Sequence, residues 1–288
     1  MKDLFSPEGW QALRAFIARP LLCLFDFDGT LAPLVADPDA VLLSAAVRAR
    51  LQALQQRAPI GIVTGRALAD LRPRLAFVPD YLIGNHGLEG VPGASAAKAE
   101  AALLARVACW KAELEPGLAV LDPGIRIEDK HYSLSLHYLQ ARDPEQAARA
   151  LRERIAALSP PPRVIPGKSL LNVLPSDVGD KGSAVQALLA AAGLAQALYV
   201  GDDLTDEDVF RLPQPGLFTV HVGRDEGSAA QWRLHEQRDV ETLLDWLVTE
   251  VPAGQRGLAT APARPGAAQT KQAADPAADQ AASQGGQQ

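Results

Sequence analysis

The chain has 288 residues, of which 48% are hydrophobic and 22% charged, and its formal net charge at pH 7 is −6. This composition is typical of a globular protein with a buried core and argues against a basic face that binds nucleic acid, so we expect no nucleic-acid partner. No apolar run approaches the ~20 residues of a membrane helix, and the N-terminus lacks the apolar core of a signal peptide. We therefore expect no membrane partner and a cytoplasmic location. A monomer is the expected oligomeric state, although the sequence does not determine it.

The first predicted element is the apolar stretch "LLCLFDF" at 21–27, a buried strand that stops at an Asp-Gly turn. A helical pattern follows at 43–57, with Ser44 as its N-cap. The strand pattern, an apolar run that ends in Gly and polar residues, recurs at "PIGIVTG" (59–65), "YLIGNHG" (81–87) and "ALYVGDD" (197–203). Such strands, alternating with helices, predict a doubly wound parallel sheet whose carboxyl ends meet at one ligand-binding crevice.

The pattern changes between residues 91 and 173. A helix from about 95 to 115 leads into "GIRIEDKHYSLSLHYL" at 124–139, where apolar and polar residues alternate as in half-buried antiparallel strands. A second helix begins with Asp143 as N-cap and Pro144 at its first position. A further strand pair is predicted at about 162–166 and 169–174. These elements form an α-β-β-α-β-β module inserted into the parallel sheet.

The predicted fold class is therefore α/β with two parts. A doubly wound parallel, Rossmann-like core comprises residues 1–90 and 174–250, and a smaller α/β domain at 91–173 is inserted into it. From 251 to 288 the chain is rich in Ala, Gln, Pro and Gly and has few large apolar residues. That composition predicts a disordered tail.

Residues that could carry chemistry follow the strands and open one helix. Asp26 and Asp28 end the first strand in "DFDGT", and two like charges so close together need a cation nearby. Thr64 lies in "VTGR", Lys181 in "DKGSAV", and three further carboxylates in "GDDLTD" at 201–206. Taken singly, these segments also fit ordinary turns, a solvated lysine and an acidic helix start. Their combination is much less common than any one of them.

In order, these four segments resemble the four motifs of the haloacid dehalogenase superfamily phosphatases, and the insertion lies where that superfamily places its larger α/β cap. Within the superfamily the sequence is most similar to the trehalose-6-phosphate phosphatases. That similarity is carried by "NHGLE" (85–89), "EDKHYSLSLHY" (128–138), "GDKGSA" (179–184) and "GDDLTDEDVF" (201–210). The similarity extends along the chain to about residue 248. The resemblance implies a haloacid dehalogenase core with a cap that selects the substrate.

The resemblance also implies a catalytic set: Asp26, Asp28, Thr64 and Lys181. Asp26 would attack phosphorus to give an aspartyl-phosphate, and Asp28 would protonate the leaving sugar oxygen and later deprotonate the attacking water. Lys181 would offset the charge of the dianionic phosphate, and Thr64 would donate its hydroxyl to a phosphate oxygen. These residue types suit phosphoryl transfer because that reaction depends mainly on positioning and electrostatics.

Mg²⁺ is the cofactor that the resemblance implies. This ion prefers hard oxygen ligands and retains several waters, so it needs only one or two protein carboxylates besides the substrate. By resemblance, its ligands are Asp26, Asp202 and the backbone carbonyl of Asp28. Asp203 and Asp206 are interpreted as supporting residues that orient Lys181 or the metal-bound waters.

The partner that this interpretation implies is a small sugar phosphate, and the cap is expected to recognise its sugar. Glu128 and Lys130 match cap positions that hold sugar hydroxyls in the family, although "EDK" alone is also a good turn. Asn172 stands where the family usually has Glu, and an amide offers both donors and a neutral acceptor. The other predicted substrate contacts are Gly65, Arg66, His86 and Lys168.

The resemblance implies Mg²⁺-dependent hydrolysis of trehalose 6-phosphate to trehalose and inorganic phosphate, as in trehalose biosynthesis. Three alternatives stay open at this point. Asn172 leaves room for another sugar phosphate, such as sucrose phosphate or a glycosylglycerate phosphate. A phospho-acceptor receiver domain also combines an acidic pocket, a hydroxyl and a lysine, but it needs neither Asp28 nor the insertion. A non-catalytic binding homologue is disfavoured because all four motifs are intact.

Overall fold

A computed structural model of the chain describes residues 1–35, 40–93, 97–167, 169–224 and 227–258. Its strands are β1 (Lys2–Asp3), β2 (Leu22–Phe25), β3 (Ile60–Val63), β4 (Tyr81–Ile83), β5 (Arg126–Asp129), β6 (Leu134–His137), β7 (Pro162–Gly167), β8 (Leu170–Pro175), β9 (Ala197–Gly201), β10 (Leu217–Val222) and β11 (Trp232–Leu234). Its α-helices are α1 (Pro7–Ile17), α2 (Ala45–Gln55), α3 (Leu68–Leu75), α4 (Ala97–Leu121), α5 (Pro144–Ala156), α6 (Lys181–Ala192), α7 (Glu207–Phe210) and α8 (Asp239–Glu250).

Seven of these strands form one sheet, in the order β1-β11-β10-β9-β2-β3-β4. Every neighbouring pair in that sheet is parallel. β2 lies between β3 and β9, and the strand order runs in opposite directions on its two sides. The carboxyl end of β2 is therefore the topological switch point, where doubly wound sheets bind their ligands. The predicted fold class is confirmed.

The central strands are buried on both faces, as continuous apolar runs predict for a covered parallel sheet. Cys23 and Phe25 of β2 belong to one hydrophobic core, to which α1, α2 and α8 also contribute. Leu22 and Leu24 point to the opposite face and join a second core with α6. As predicted, Ser44 is the N-cap of α2, because its hydroxyl accepts a hydrogen bond from the Val47 N–H.

The inserted module contains α4, β5, β6, α5, β7 and β8, in the predicted α-β-β-α-β-β order. Its four strands form an antiparallel sheet in the order β5-β6-β8-β7. One face of that sheet packs on α4 and α5 through Leu134, Leu136, Leu171 and Val173. On the other face Glu128, Ser135 and Asn172 lie in register across three strands. Asp143 caps α5 as predicted, since its carboxylate accepts from the Gln146 N–H.

Two predicted boundaries are refined by the structure. The boundary at 173/174 falls inside β8, which continues to Pro175 because that residue still pairs with Pro162 of β7. The predicted disordered tail began too early: Gln255–Leu258 forms a 3₁₀ helix, and the buried Gln255 side chain donates to the Ile17 carbonyl at 2.7 Å. The rest of the predicted tail, 259–288, and the start of the helix predicted from about 95 lie outside the described residues. In the described parts of the chain, no helix combines the length and apolarity needed to cross a membrane.

Candidate active site

The predicted catalytic residues meet at the carboxyl edge of the parallel sheet. Asp26 directly follows β2, Thr64 follows β3 and Asp202 follows β9, and these three strands are neighbours. Lys181 is the first residue of α6, the helix that precedes β9 in the chain. Parallel strands place their carboxyl ends at one edge, which is why residues far apart in sequence converge here.

Lys181 links two carboxylates in the centre of the site. Its ammonium donates to Asp26 Oδ1 and to Asp206 Oδ1, both at 2.8 Å. Lys181 is 1% exposed, Asp26 4% and Asp206 0%, so all three charges are shielded from water. Asp180 caps α6 by accepting from the Ser183 N–H, and this fixes where the lysine leaves the backbone. Buried charges of this kind persist only when they are paired, as they are here.

The site has an excess of negative charge. Burial raises the pKa of Asp26 well above its ordinary value, and Asp206 and Asp202 add to this effect, while Lys181 opposes it. Burial, with the charge of Asp206, also raises the pKa of Asp202 to about 7. Although burial opposes it, the attraction of Asp206 and Asp26 raises the pKa of Lys181, which stays charged. One lysine therefore does not balance these carboxylates, and a further cation would stabilise them.

The donor set fits a hard divalent cation. Asp26, Asp202 and Asp206 each offer an oxygen, and these atoms lie within 4.8 Å of one another. Gly29, with φ at +86°, allows the backbone to approach Asp202 closely: a Cβ there would lie 1.9 Å from Asp202 Oδ2. Thr30 orients the other oxygen, since its hydroxyl donates to Asp202 Oδ1 at 2.9 Å. Carboxylate oxygens in such an arrangement suit Mg²⁺.

Asp206, for which the sequence predicts a supporting role, accepts hydrogen bonds from several neighbours. Besides Lys181, its Oδ1 accepts from the Tyr199 hydroxyl at 2.6 Å, and its Oδ2 accepts from the Asp203 N–H at 2.9 Å. Three donors thus hold the carboxylate in place. Asp203 itself is exposed, and its side chain caps the following 3₁₀ helix, Leu204–Asp206.

Asp28 is not among the three grouped carboxylates and pairs with Arg66. The guanidinium donates to both Asp28 oxygens, at 2.6 Å and 2.7 Å, and through its third nitrogen to Asp70 Oδ2 at 2.8 Å. Although burial opposes it, the hydrogen bonds and charges of Asp28 and Asp70 raise the pKa of Arg66. The predicted acid-base carboxylate is therefore held by a bidentate, charge-assisted pair.

Thr64, Gly65 and His86 form the wall next to Asp26. Thr64 is buried, and its hydroxyl accepts from the Arg66 N–H at 3.2 Å. Gly65 packs directly on the His86 ring, where a Cβ would lie 2.4 Å from Cε1. Burial lowers the pKa of His86 well below its ordinary value, and the nearby charges of Lys181 and Lys130 lower it further. The imidazole is therefore neutral, and its buried Nδ1 has no hydrogen-bond partner within the described residues.

The predicted cap residues lie on the sheet face that does not pack on α4 and α5. Glu128 accepts from His137 Nε2 at 2.9 Å and lies 3.9 Å from the Lys130 ammonium. Burial lowers the pKa of Lys130, and the attraction of Glu128 offsets this only in part. The charge of Asp28 raises the pKa of Lys130 and that of Arg66 lowers it, so the ammonium lies within electrostatic reach of these two core residues.

Asn172 lies beside these residues, and its Oδ1 accepts from the Ser135 hydroxyl at 2.6 Å. An ionised Glu at this position would carry a charge into a largely buried location, whereas the amide pairs with a neutral hydroxyl at lower cost. The predicted contact Lys168 lies outside the described residues.

Several residues at the site were not singled out from sequence. Thr30 was quoted within "DFDGT" without a role, although a hydroxyl beside paired carboxylates is a usable signal. Tyr199 and Asp70 carry no such signal, because a tyrosine within a strand and an aspartate in the first turn of a helix are ordinary. Their contacts with Asp206 and Arg66 arise only when distant segments fold together.

An aspartate after the central strand, a buried lysine beside it and an α/β cap inserted into the parallel sheet define the class of protein: the chain has the fold of the haloacid dehalogenase superfamily. Its fold is similar to that of a trehalose-6-phosphate phosphatase related protein, with a TM-score of 0.64 and 22% identity over 79% of this chain and 97% of that one.

Sequence comparison identifies the family more specifically than the fold does. The Trehalose-phosphatase family model matches residues 24–239, and the chain belongs to that family. The trehalose-phosphate phosphatase of Mycobacterium tuberculosis is 32% identical over 238 residues, which cover 78% of this chain and 60% of that protein. The C-terminal domain of the C. albicans trehalose-6-phosphate phosphatase has a TM-score of 0.63 and 25% identity, and the match covers 83% of this chain and 96% of that domain. The chain spans about 60% of the length of these mycobacterial relatives.

Proposed function

We propose that this protein is a Mg²⁺-dependent phosphatase that hydrolyses trehalose 6-phosphate to trehalose and inorganic phosphate. The observation that carries the proposal is the buried Asp26–Lys181–Asp206 arrangement beside Asp202 at the switch point of the sheet. A phosphate monoester is a dianion, so it can meet a carboxylate only when Lys181 and a bound divalent cation offset the negative charge of the site. Membership of the trehalose-phosphatase family supports the choice of substrate.

Asp26 is the proposed nucleophile. Lys181 holds one of its oxygens at 2.8 Å, so the carboxylate has a fixed direction. Attack forms a bond between a carboxylate oxygen and phosphorus and breaks the bond between phosphorus and the sugar oxygen. Water then attacks the aspartyl-phosphate at phosphorus, which releases phosphate and restores Asp26. Thr64 and the backbone at Gly65 lie next to Asp26 and are proposed to bind the phosphate oxygens.

Asp26 and Asp202, with the backbone carbonyl of Asp28, are the residues proposed to hold Mg²⁺. When bound, the ion would neutralise the carboxylates and the phosphate oxygens and so lower the barrier to attack by an anion. Asp206 is the nearest further carboxylate, but three donors already occupy it. We therefore assign it to holding Lys181 rather than to the metal.

Asp28 is the proposed proton donor and acceptor. The Arg66 guanidinium holds both oxygens of the Asp28 carboxyl group. Asp70 offers Arg66 a second carboxylate, so the guanidinium stays paired if Asp28 turns toward the substrate. A proton transferred by Asp28 would go to the leaving sugar oxygen in the first step and come from water in the second.

The cap face is proposed to bind the sugar. Glu128 and Lys130 supply an acceptor and a donor of opposite charge, and Asn172 and His86 supply neutral polar groups. Sugar hydroxyls both donate and accept, so this mixture suits them. Arg66 and Lys168 complete the proposed set of contacts. A cytoplasmic location, a monomeric state and the absence of nucleic-acid and membrane partners remain predictions from the sequence.

The second candidate function is a phosphatase for another sugar phosphate. It is favoured by one observation: the amide of Asn172 occupies a position where the family usually carries a carboxylate, and it pairs with Ser135. Sucrose phosphate and a glycosylglycerate phosphate are the corresponding substrates. The catalytic site would be the same in either case.

The proposed reaction is tested by incubating the purified chain with trehalose 6-phosphate and measuring both trehalose and inorganic phosphate. We expect the two products in equal amounts with Mg²⁺, loss of activity with a chelator, and recovery when excess Mg²⁺ is added back. Release of phosphate that a chelator does not affect would contradict the proposed metal dependence. No release with Mg²⁺ would contradict the proposed substrate.

Lys130→Met should raise the KM for trehalose 6-phosphate. The substitution keeps the aliphatic stem but removes a donor whose charge-assisted hydrogen bond is worth about 1.5–3 kcal/mol, or roughly 10- to 100-fold in KM. Hydrolysis of p-nitrophenyl phosphate, which has no sugar hydroxyls, should change little. Steady-state kinetics on both substrates measure the difference, and an equal loss on both would show that Lys130 does not recognise the sugar.

A further inference from the structure

Asn85 links the catalytic core to the cap. It lies in the short 3₁₀ helix after β4 and is 0% exposed. Its side-chain amide donates to the Lys130 carbonyl at 3.1 Å, and its Oδ1 accepts from the Ser133 hydroxyl at 3.0 Å. Both partners belong to the turn between β5 and β6. One buried side chain of the core therefore holds two points of a single cap turn.

The core side of this contact is equally well defined. The Asn85 amide also donates to Glu89 Oε2 at 2.9 Å, and the same oxygen accepts from the Leu68 N–H at 2.8 Å. Leu68 is the first residue of α3, so Glu89 serves as a cap for the helix that follows Arg66. The contact thus runs from the loop that carries Thr64 and Arg66 through Glu89 and Asn85 into the cap.

The turn that Asn85 holds is the one that presents the proposed sugar contacts. Glu128 is on β5 just before the turn, and Lys130 lies within it. The Lys130 N–H donates to the Ser133 carbonyl at 3.0 Å, and the Tyr132 N–H donates to the Lys130 carbonyl at 2.8 Å, which makes the turn a tight unit. Fixing the Lys130 carbonyl and the Ser133 hydroxyl therefore fixes the place from which the Lys130 side chain starts.

Asparagine suits this position for two physical reasons. Its φ is +49°, in the left-handed region that Asn and Gly adopt more readily than other residues. Its amide carries donors for Glu89 and Lys130 and an acceptor for Ser133, whereas an ionised aspartate would have no donor and would face Glu89. Asparagine therefore satisfies the hydrogen-bonding groups of Glu89, Lys130 and Ser133 at the same time.

We propose that Asn85 is a positioning residue for substrate recognition, which sets the β5–β6 turn, and with it Lys130 and Glu128, at the correct distance from Asp26. This inference rests on the proposed function for the identity of the sugar phosphate. The expected consequence is that loss of the Asn85 side chain weakens sugar recognition and leaves the chemistry at Asp26 intact.

Asn85→Gly is the direct test, because glycine accepts the positive φ and only the side chain is lost. We expect KM for trehalose 6-phosphate to rise about tenfold or more, since two hydrogen bonds to the cap turn are removed. We expect kcat/KM for p-nitrophenyl phosphate to stay within about twofold of the wild type. An unchanged KM for trehalose 6-phosphate, or a matching loss on both substrates, would overturn the proposal.

Ser133→Ala removes one of the same contacts from the cap side and keeps the proposal testable if Asn85→Gly folds poorly. The two substitutions should be non-additive in KM, because the double variant loses the shared contact only once. Lys111→Met is the matched control: it breaks the cap ion pair with Asp129, at 3.2 Å on the opposite sheet face, and should leave KM unchanged. Additive effects, or an equal effect of Lys111→Met, would overturn the proposal.

Hydrogen exchange separates this inference from the substrate assignment. Amides of residues 129–135 should exchange faster in Asn85→Gly than in the wild type, without any ligand, because the turn loses its anchor. If the wild type does not hydrolyse trehalose 6-phosphate but exchange in the turn rises as expected, the substrate assignment is wrong and the positioning contact stands. Unchanged exchange would overturn the positioning contact itself.

Discussion

Asp26→Asn should abolish turnover of trehalose 6-phosphate while leaving the protein folded. An amide cannot form the aspartyl-phosphate, and loss of a nucleophile from a site that acts as a unit lowers kcat by about 10⁴- to 10⁶-fold. Lys181 keeps Asp206 as a partner in the variant, and one of three mutually repelling carboxylates becomes neutral, so the amide should leave the fold intact. Phosphate release and a circular dichroism melting curve measure the two effects.

Asp245→Asn is the matched control for that experiment. Asp245 is an exposed aspartate of α8, and its carboxylate pairs with Arg50 of α2. The control should keep wild-type kcat. If Asp26→Asn retains activity close to that of the control, Asp26 is not the nucleophile and the aspartyl-phosphate mechanism is wrong.

Lys181→Met should cause both loss of activity and loss of stability. The substitution leaves Asp26 and Asp206 buried without their cation, and breaking a buried ion pair from one side costs about 3–5 kcal/mol. Turnover should fall by about 10²- to 10³-fold or more, because the attacking carboxylate loses its orientation and the phosphate loses a positive neighbour. Urea unfolding measures the loss of stability, and phosphate release measures the loss of activity.

Added Mg²⁺ should recover part of the lost stability of Lys181→Met but little of the activity, since the ion supplies charge without holding Asp26 and Asp206 apart. The same substitution at the partly exposed Lys111, whose partner is Asp129, should change the free energy of unfolding by no more than about 1 kcal/mol. An unfolding free energy for Lys181→Met equal to that of the control would show that the buried pair does not stabilise the fold.

The architecture of the core could be predicted because it depends on local patterns. Continuous apolar runs identified β2, β3 and β9, and the structure ends each strand two residues before the end of the predicted segment. Parallel strands bring their carboxyl ends together, so Asp26, Thr64 and Asp202 could be expected at one edge before any distance was measured. Helix starts at Ser44 and Asp143 were likewise predictable from capping residues.

The pairing of charges within the site was harder to predict from the sequence. Asp28 follows the same strand as Asp26, yet the structure pairs it with Arg66 and leaves Asp206 beside Asp26 and Asp202. Which carboxylate meets which cation depends on side-chain directions that differ by one or two positions in a loop. The spacing of the motifs does not determine those directions.

Residues that act across segments were the hardest to predict. Asn85 and Tyr199 each make their key hydrogen bonds to residues that another part of the fold brings to them. Asn85 was visible within "NHGLE", but its contact with the β5–β6 turn exists only because the inserted domain folds back over the core. The start of the tail was hard to predict for the same reason. Gln255 is polar and lies in a polar segment, yet its side chain is buried and donates a hydrogen bond to the Ile17 carbonyl.

The most direct test of the central claim is a comparison of kcat/KM, with Mg²⁺, for trehalose 6-phosphate, sucrose 6-phosphate and glucose 6-phosphate on the same preparation of the full chain. We expect trehalose 6-phosphate to be preferred over each of the others by at least about 100-fold, because the cap face must recognise both sugar rings of its substrate. A higher kcat/KM for sucrose 6-phosphate, or equal values for all three, would contradict the assigned substrate.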